Sequence, residues 1–336
     1  MITQSKALAR MEQQTRIAQR RLEDGYNAML LKMWKGTLTD IRATILDTYR
    51  QDFGRGTWDL VGAQTRGTLS RINDRSAERL LLFKAEATLL IERSLAHIHN
   101  QERLRALWMI DQTTPKSFMP KAPPRSVREA DNPRDAKASW SVALNAWVDN
   151  YQSQLANNLR MEALHEGDVH DAADEPEATR VAGYDPAYKF SSMFAGESIK
   201  EEADARRDIF DGNDDVVEEE IWVSMDNGEP GSDGKVCEIC EGYDQQPMDQ
   251  VPDDIPAHYG CRCYSRFVPK AWADMMRSGD SDERDAAQAM DDAGLVSDSM
   301  AIRSPKTGEI IARAVISFED WQAERGQNIA GVAGLL

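Results

Sequence analysis

Cationic charge is scarce over most of this 336-residue chain, where 40 Lys and Arg stand against 57 Asp and Glu for a net charge of −17. The deficit is uneven. Residues 1–110 carry 18 basic and 12 acidic side chains, net +6; residues 111–135 carry 5 and 4; residues 136–336 carry 17 and 41, net −24. Phosphate repels a portion that acidic, so nucleic acid cannot wrap the whole molecule, and only a local contact by the basic N-terminal part remains open. Long apolar runs are also missing. No stretch approaches the 18 apolar residues of a membrane-spanning helix, so no membrane association is expected. The opening MITQSKALARMEQQTRIAQRR has no apolar core of the export-signal kind, which predicts a protein made and used inside a cell or a particle. There is no Gly-rich phosphate loop, no Gly-x-Ser-x-Gly elbow and no His-Glu-x-x-His helix. With no histidine free of the metal-candidate cluster near a serine or cysteine nucleophile in the sequence, no enzyme is expected.

Helical periodicity is plentiful. Over residues 3–50, Leu22, Tyr26, Met29 or Leu30, Met33 or Trp34, Leu38, Ile41 and Ile45 recur at three- and four-residue steps, the stripe of a long helix. Gly54 and Gly56 interrupt it, Thr57 is a candidate cap, and residues 58–110 resume it through Leu69, Ile72, Leu80, Phe83, Ala87, Leu90 or Ile91, Leu95 and Ile98. Two such lengths predict an antiparallel hairpin or extended bundle over 1–110. Five of the 13 prolines fall in 111–135 and predict an extended connector, or an arm docked on a neighbour. Within 136–220, a third helix is predicted from about Ala136 to His165, with Trp140, Leu144, Trp147 or Val148, Tyr151, Leu155 and Leu159 on one side. Short helices and loops are predicted for the acidic, Gly- and Pro-broken stretch that follows. Residues 221–270 hold the cysteines. Residues 271–336 read as a helix from about Lys270 to Ala293, a turn at Ser304–Gly308, a strand over 309–316 and a last helix around Trp321, capped by Ser317 with Asp320. The expected class is mainly α with a small α+β C-terminal part.

All four cysteines lie within 27 residues, as Cys237-Glu-Ile-Cys240, a 17-residue spacer, then His258-Tyr-Gly-Cys261-Arg-Cys263. CxxC spacing turns two thiolates toward one centre, and thiolates with an imidazole suit Zn²⁺ better than Ca²⁺ or Mg²⁺. Cys237, Cys240, His258, Cys261 and Cys263 are therefore candidate ligands for a zinc-knuckle-like module. Five candidates compete for four positions: Cys237 and Cys240 are expected with two of the other three, and spacing does not choose among them. A site closed by four protein ligands has a structural role. Disulfides, free buried thiols and a redox CxxC are the competing readings. The expected compartment, the clustering and the lack of a surrounding βαβ pattern weigh against them in turn.

The wider segment places Trp222 and Asp226 ahead of Cys237 and Cys240, then Asp244, Pro256, His258, Cys261, Arg262 and Cys263. In that order these residues resemble the C-terminal signature of the phage head morphogenesis proteins, minor head proteins similar to the F protein of phage Mu. The likeness covers about 45 residues and departs from the pattern twice. Asn227–Val236 form an insertion before the first cysteine, and Gln245 stands where the family has a glycine, so the turn there is expected to differ. The resemblance implies a virion structural protein. It would be present in several copies, associate with portal and major capsid proteins, act in head assembly, DNA packaging or delivery, and reside in the host cytoplasm during assembly. A zinc-ribbon nucleic-acid-binding protein or nuclease is the alternative, disfavoured by the acidic residues around the knuckle.

Other patterns carry less. Asp211, Asn213 and Asp215 begin like a calcium loop, but Val216 and Trp222 stand where glycine and glutamate are required. His97 and His99 are two apart on a predicted helix and cannot share a face. His165 and His170 read as surface residues. Arg10, Arg16, Arg20, Arg21, Arg66, Arg71, Arg75 and Arg79 could meet DNA or an acidic protein, although their alternation with Asp and Glu also fits a solvated face.

Overall fold

The computed structural model describes residues 4–54, 59–114, 118–124, 140–165, 186–224, 237–257, 261–270, 302–303, 310–312 and 315–324. Helices take 74% of these, which makes the protein mainly α. In chain order they are α1 (Gln4–Phe53), α2 (Leu60–Thr65), α3 (Thr68–Thr113), α4 (Trp140–Leu164), α5 (Pro186–Asp211), α6 (Glu238–Tyr243) and α7 (Phe318–Glu324). The strands are β1 (Val217–Val223), β2 (Tyr264–Pro269), β3 (Ile302–Arg303) and β4 (Ile310–Ala312), paired antiparallel as β1 with β2 and β3 with β4. Two compact units divide the chain without following its linear segments. One comprises residues 1–22, 95–128 and 198–336, the other 23–94 and 129–197.

In the second unit, the predicted stripes form the core. Leu30, Trp34, Ile41 and Ile45 of α1 and Ile72, Leu80, Phe83, Ala87 and Ile91 of α3 are buried, as are Leu144, Val148, Leu155 and Leu159 of α4. Trp34 is their aromatic hub, edge-on to Phe83 at 5.1 Å, Trp147 at 4.5 Å and Tyr151 at 4.9 Å. Helix α1 ends at Gly54, whose φ of +62° is the left-handed turn that glycine adopts without penalty. Thr57 lies outside the described residues. Asp59 caps α2, its carboxylate accepting the Gly62 N–H at 2.6 Å.

One expectation fails here. The stretch predicted as short helices and loops contains the 26-residue α5. Pro186 sits at its first position, where a missing N–H costs nothing. Gly196 is tolerated mid-helix, and Phe190, Phe194, Ile199, Ala203, Ile209 and Phe210 repeat at helical spacing on a buried face.

The first unit packs Leu8 and Met11 of α1 with Leu104, Leu107, Trp108, Met109 and Ile110 of α3, Ile209 and Phe210 of α5, Val216, Phe267 of β2 and Trp321 of α7. Residues 102–114 are buried all round, polar ones included. Asp111 accepts from Trp321 Nε1 at 2.9 Å, and Gln112 Oε1 accepts the Ile316 N–H at 2.9 Å. Residues 118–124 of the Pro-rich stretch dock as an arm. Asn213 Nδ2 donates to Lys121 O at 2.8 Å, Asn213 Oδ1 accepts the Lys121 N–H at 2.7 Å, and Arg103 donates to Pro123 O. A Cβ on Gly212 would lie 2.6 Å from Pro123 Cγ, so this approach requires glycine. Asn213 therefore organises a turn and does not begin a calcium loop. Ser317 caps α7 as predicted, accepting the Asp320 N–H at 3.1 Å and donating to its carboxylate at 2.8 Å. Pairing of β4 with β3 falls within the strand predicted over 309–316. The predicted helix over 270–293 and the turn at 304–308 lie outside the described residues.

Candidate metal centre

Strand β1 is the spine of the cysteine module. On one side it pairs with β2, with Ile221 opposite Arg266, Trp222 opposite Ser265 and Val223 opposite Tyr264. On the other, Trp222 N–H donates to Gln246 O, Gln245 N–H to Trp222 O and Met248 N–H to Glu220 O, each at 2.8 Å. The first contact fixes the chain leaving Cys261 and Cys263; the second fixes the chain leaving the CxxC. Cys237 caps the start of helix α6, its Sγ accepting the Cys240 N–H at 3.3 Å, with Glu238 and Glu241 favourably placed in the first turn. Asp244 follows the last residue of the helix, and its carboxylate accepts the Ser224 N–H at 2.8 Å. Gln245 follows at φ +62°. That left-handed conformation is uncommon for a residue with a side chain.

These constraints bring Cys240, Cys261 and Cys263 together. Their sulfur atoms lie within 4.8 Å of one another, all buried, with Cys240 Sγ 3.8 Å from Cys261 Sγ. Tetrahedral coordination at a Zn–S bond of about 2.3 Å places two sulfurs about 3.8 Å apart, so the thiols are spaced to hold one metal ion. Trp222 closes the module from below, fully buried and edge-on to Tyr243 at 5.3 Å, in one apolar cluster with Ile199, Ala203, Ile255 and Ala257. Burial, reinforced by its neighbours, pushes the Cys240 thiol well above the ordinary range; for Cys261 the hydrogen bond with Cys263 is the larger cause. As neutral thiols they are inert nucleophiles, and a bound cation would release their protons. Cys237 is exposed at the lip. His258 and the insertion Asn227–Val236 lie outside the described residues.

A second cluster was invisible to sequence reasoning. Glu12 and Arg16 of α1, Glu102 and Arg105 of α3, Glu202 and Arg206 of α5, and Tyr264 and Arg266 of β2 meet in a buried ionic seam. The Arg206 guanidinium lies 2.6 Å from Glu102 and donates to Ser265 O at 2.7 Å. Arg16 donates to Glu202 at 3.0 Å and lies over the Tyr264 ring at 3.9 Å. The Tyr264 hydroxyl donates to Glu12 at 3.3 Å, and Arg266 lies 3.9 Å from the same carboxylate. Burial raises the Glu12 carboxyl above its ordinary value, against the pull of Arg206, Arg266 and Arg16. Burial acts the same way on Glu102, but there Arg206, Arg105 and Arg16 outweigh it and hold that carboxyl below its ordinary value. The only sequence signal was an i, i+4 rhythm of charge, which reads identically on an exposed helix.

This placement withdraws Arg16 from the basic residues available to an outside partner. Arg71 pairs with Asp52, Arg79 lies 3.9 Å from Asp40, and Arg75 donates to Thr48 at 3.3 Å. His99 is buried with Nδ1 2.9 Å from Glu201, whereas His97 and His165 are exposed; His170 lies outside the described residues. No described helix is long and apolar enough to cross a membrane. No known family model, curated protein or solved structure matches the chain.

Proposed function

We propose that the chain is a virion structural protein, a minor head protein of the phage head morphogenesis group. It associates with portal and major capsid proteins during assembly and supports DNA packaging or delivery. One observation carries the reading. Trp222, Cys240, Asp244, Cys261 and Cys263, which match the family signature in sequence, belong to a single module built around β1, where the cysteine sulfurs converge and Asp244 ties α6 to Ser224. In this reading Zn²⁺ is held by Cys240, Cys261 and Cys263, with Cys237 or His258 completing the set. Its role is folding, since the module's own apolar core is small and a structural zinc site contributes on the order of 10 kcal/mol. The long helices supply docking surface, and the basic N-terminal helices are the part able to touch DNA.

The test is particle composition. Purified heads and procapsids should contain the protein, and portal should copurify with it; absence from both particles would refute the assignment. Elemental analysis should return one zinc per chain, and Cys261→Ser should abolish it.

A further inference from the structure

We propose that the metal centre controls the docking of residues 8–22, the first part of α1, through strand β2. This inference rests on the metal reading above and adds to it a consequence some distance from the ligands. The path is short and continuous. Cys263 is followed directly by Tyr264, Ser265 and Arg266, and each of these three holds part of the ionic seam. Tyr264 stacks under Arg16 at 3.9 Å and under Arg206 at 5.3 Å. It also donates to Glu12 at 3.3 Å, Ser265 O accepts from Arg206 at 2.7 Å, and Arg266 faces Glu12 at 3.9 Å.

Among the described residues, few other contacts hold residues 8–22 in this unit. Leu8 and Met11 enter the apolar cluster, Arg16 reaches Glu202, and Gln19 Oε1 accepts from Arg105 at 3.3 Å. The polar side of the docking is poorly matched. Glu12 Oε1, Thr15 Oγ1, Gln19 Nε2 and Ser265 Oγ are buried without a hydrogen-bond partner among the described residues. Buried charge that is only partly satisfied contributes little net stability, so the docking equilibrium is responsive to a small shift of β2. Metal at Cys261 and Cys263 fixes the entry to β2, and its loss frees one end of that strand.

Coupling of this kind is reciprocal: if metal favours docking, undocking must weaken metal binding by the same factor. The full-length protein is first loaded with Zn²⁺. It is then stripped with a chelator and followed by hydrogen exchange, and zinc release is titrated with 4-(2-pyridylazo)resorcinol. Stripping should speed exchange in residues 8–22 about thirtyfold, the low end of what one charge-assisted hydrogen bond and one cation–π interaction contribute together, while residues 140–164 are unchanged. Arg16→Leu, remote from every cysteine, should lower zinc affinity by a similar factor, and Arg16→Lys should restore part of it. Zinc bound normally, with unaltered exchange at 8–22 on stripping or unaltered affinity in Arg16→Leu, overturns the coupling and leaves the metal centre standing. A chain that binds no zinc at all overturns both.

Discussion

Replacing Glu102 with glutamine tests the ionic seam directly. Glu102 is fully buried, 2.6 Å from the Arg206 guanidinium and 3.4 Å from Arg105. Glutamine keeps the shape and one acceptor but leaves Arg206 as a buried cation short of its nearest counter-charge. Removing one partner of such a pair costs about 3–5 kcal/mol, and the retained acceptor places this variant near the lower end. At about 1.4 kcal/mol per factor of ten, local opening should become easier on the order of a hundredfold. Two compact units need not unfold as one, so the readout is hydrogen exchange of residues 103–112 and 199–209 in the full chain. The pH dependence provides the second check. The folded carboxyl titrates below its ordinary value of 4.5, so near and below that value the unfolded chain binds more protons. The stabilisation is complete above pH 4.5 and lost as pH falls through the depressed value, so the gap between wild type and variant should shrink on acidification. Exchange within about threefold of wild type at neutral pH, or a gap that ignores pH, would refute the reasoning.

Glu12→Gln should act in the opposite direction. The raised Glu12 carboxyl means the folded chain binds the extra proton, so its charged form weakens the fold as pH rises through that window. The variant should slow opening a few-fold at neutral pH and match wild type in acid, read by the same exchange experiment. Gln245→Gly removes a left-handed strain of about 1 kcal/mol at the cost of an exposed hydrogen bond from Arg266. The urea midpoint of the cysteine module should rise slightly, and a fall would place the side-chain contact above the backbone term. Asn213→Ala deletes three hydrogen bonds to Lys121 and Ile209, so trypsin should cut after Lys121 in the variant well before it does so in wild type.

Legibility differed from element to element. The stripe through Leu30, Trp34, Ile41 and Ile45 announced α1 because a helix buried on one side repeats its apolar residues every three or four positions. Helix α5 is not legible in the same way, because glycine, proline and dense charge in its stretch read locally as helix breakers and loop. Its buried Glu202 and Arg206 are matched by groups from α1, α3 and β2, and that matching leaves no mark in the local sequence. The docked arm at 118–124 was open as one of two alternatives, and the choice rested on Gly212 and Asn213, about 90 residues further along the chain.

Composition and spacing alone establish that the chain is largely helical, that a charge of −24 lies in its later part, and that every thiol sits within one short segment. Folding across distant segments is what gathers Cys240, Cys261 and Cys263 into one buried cluster and leaves Cys237 exposed. The same folding places Glu102, Arg103, Arg105, Glu202 and Arg206 in the interior. One cause underlies both. Whether a polar side chain can leave water depends on which partners other segments bring within about 3 Å of it, a property of the assembled chain that no window of sequence contains.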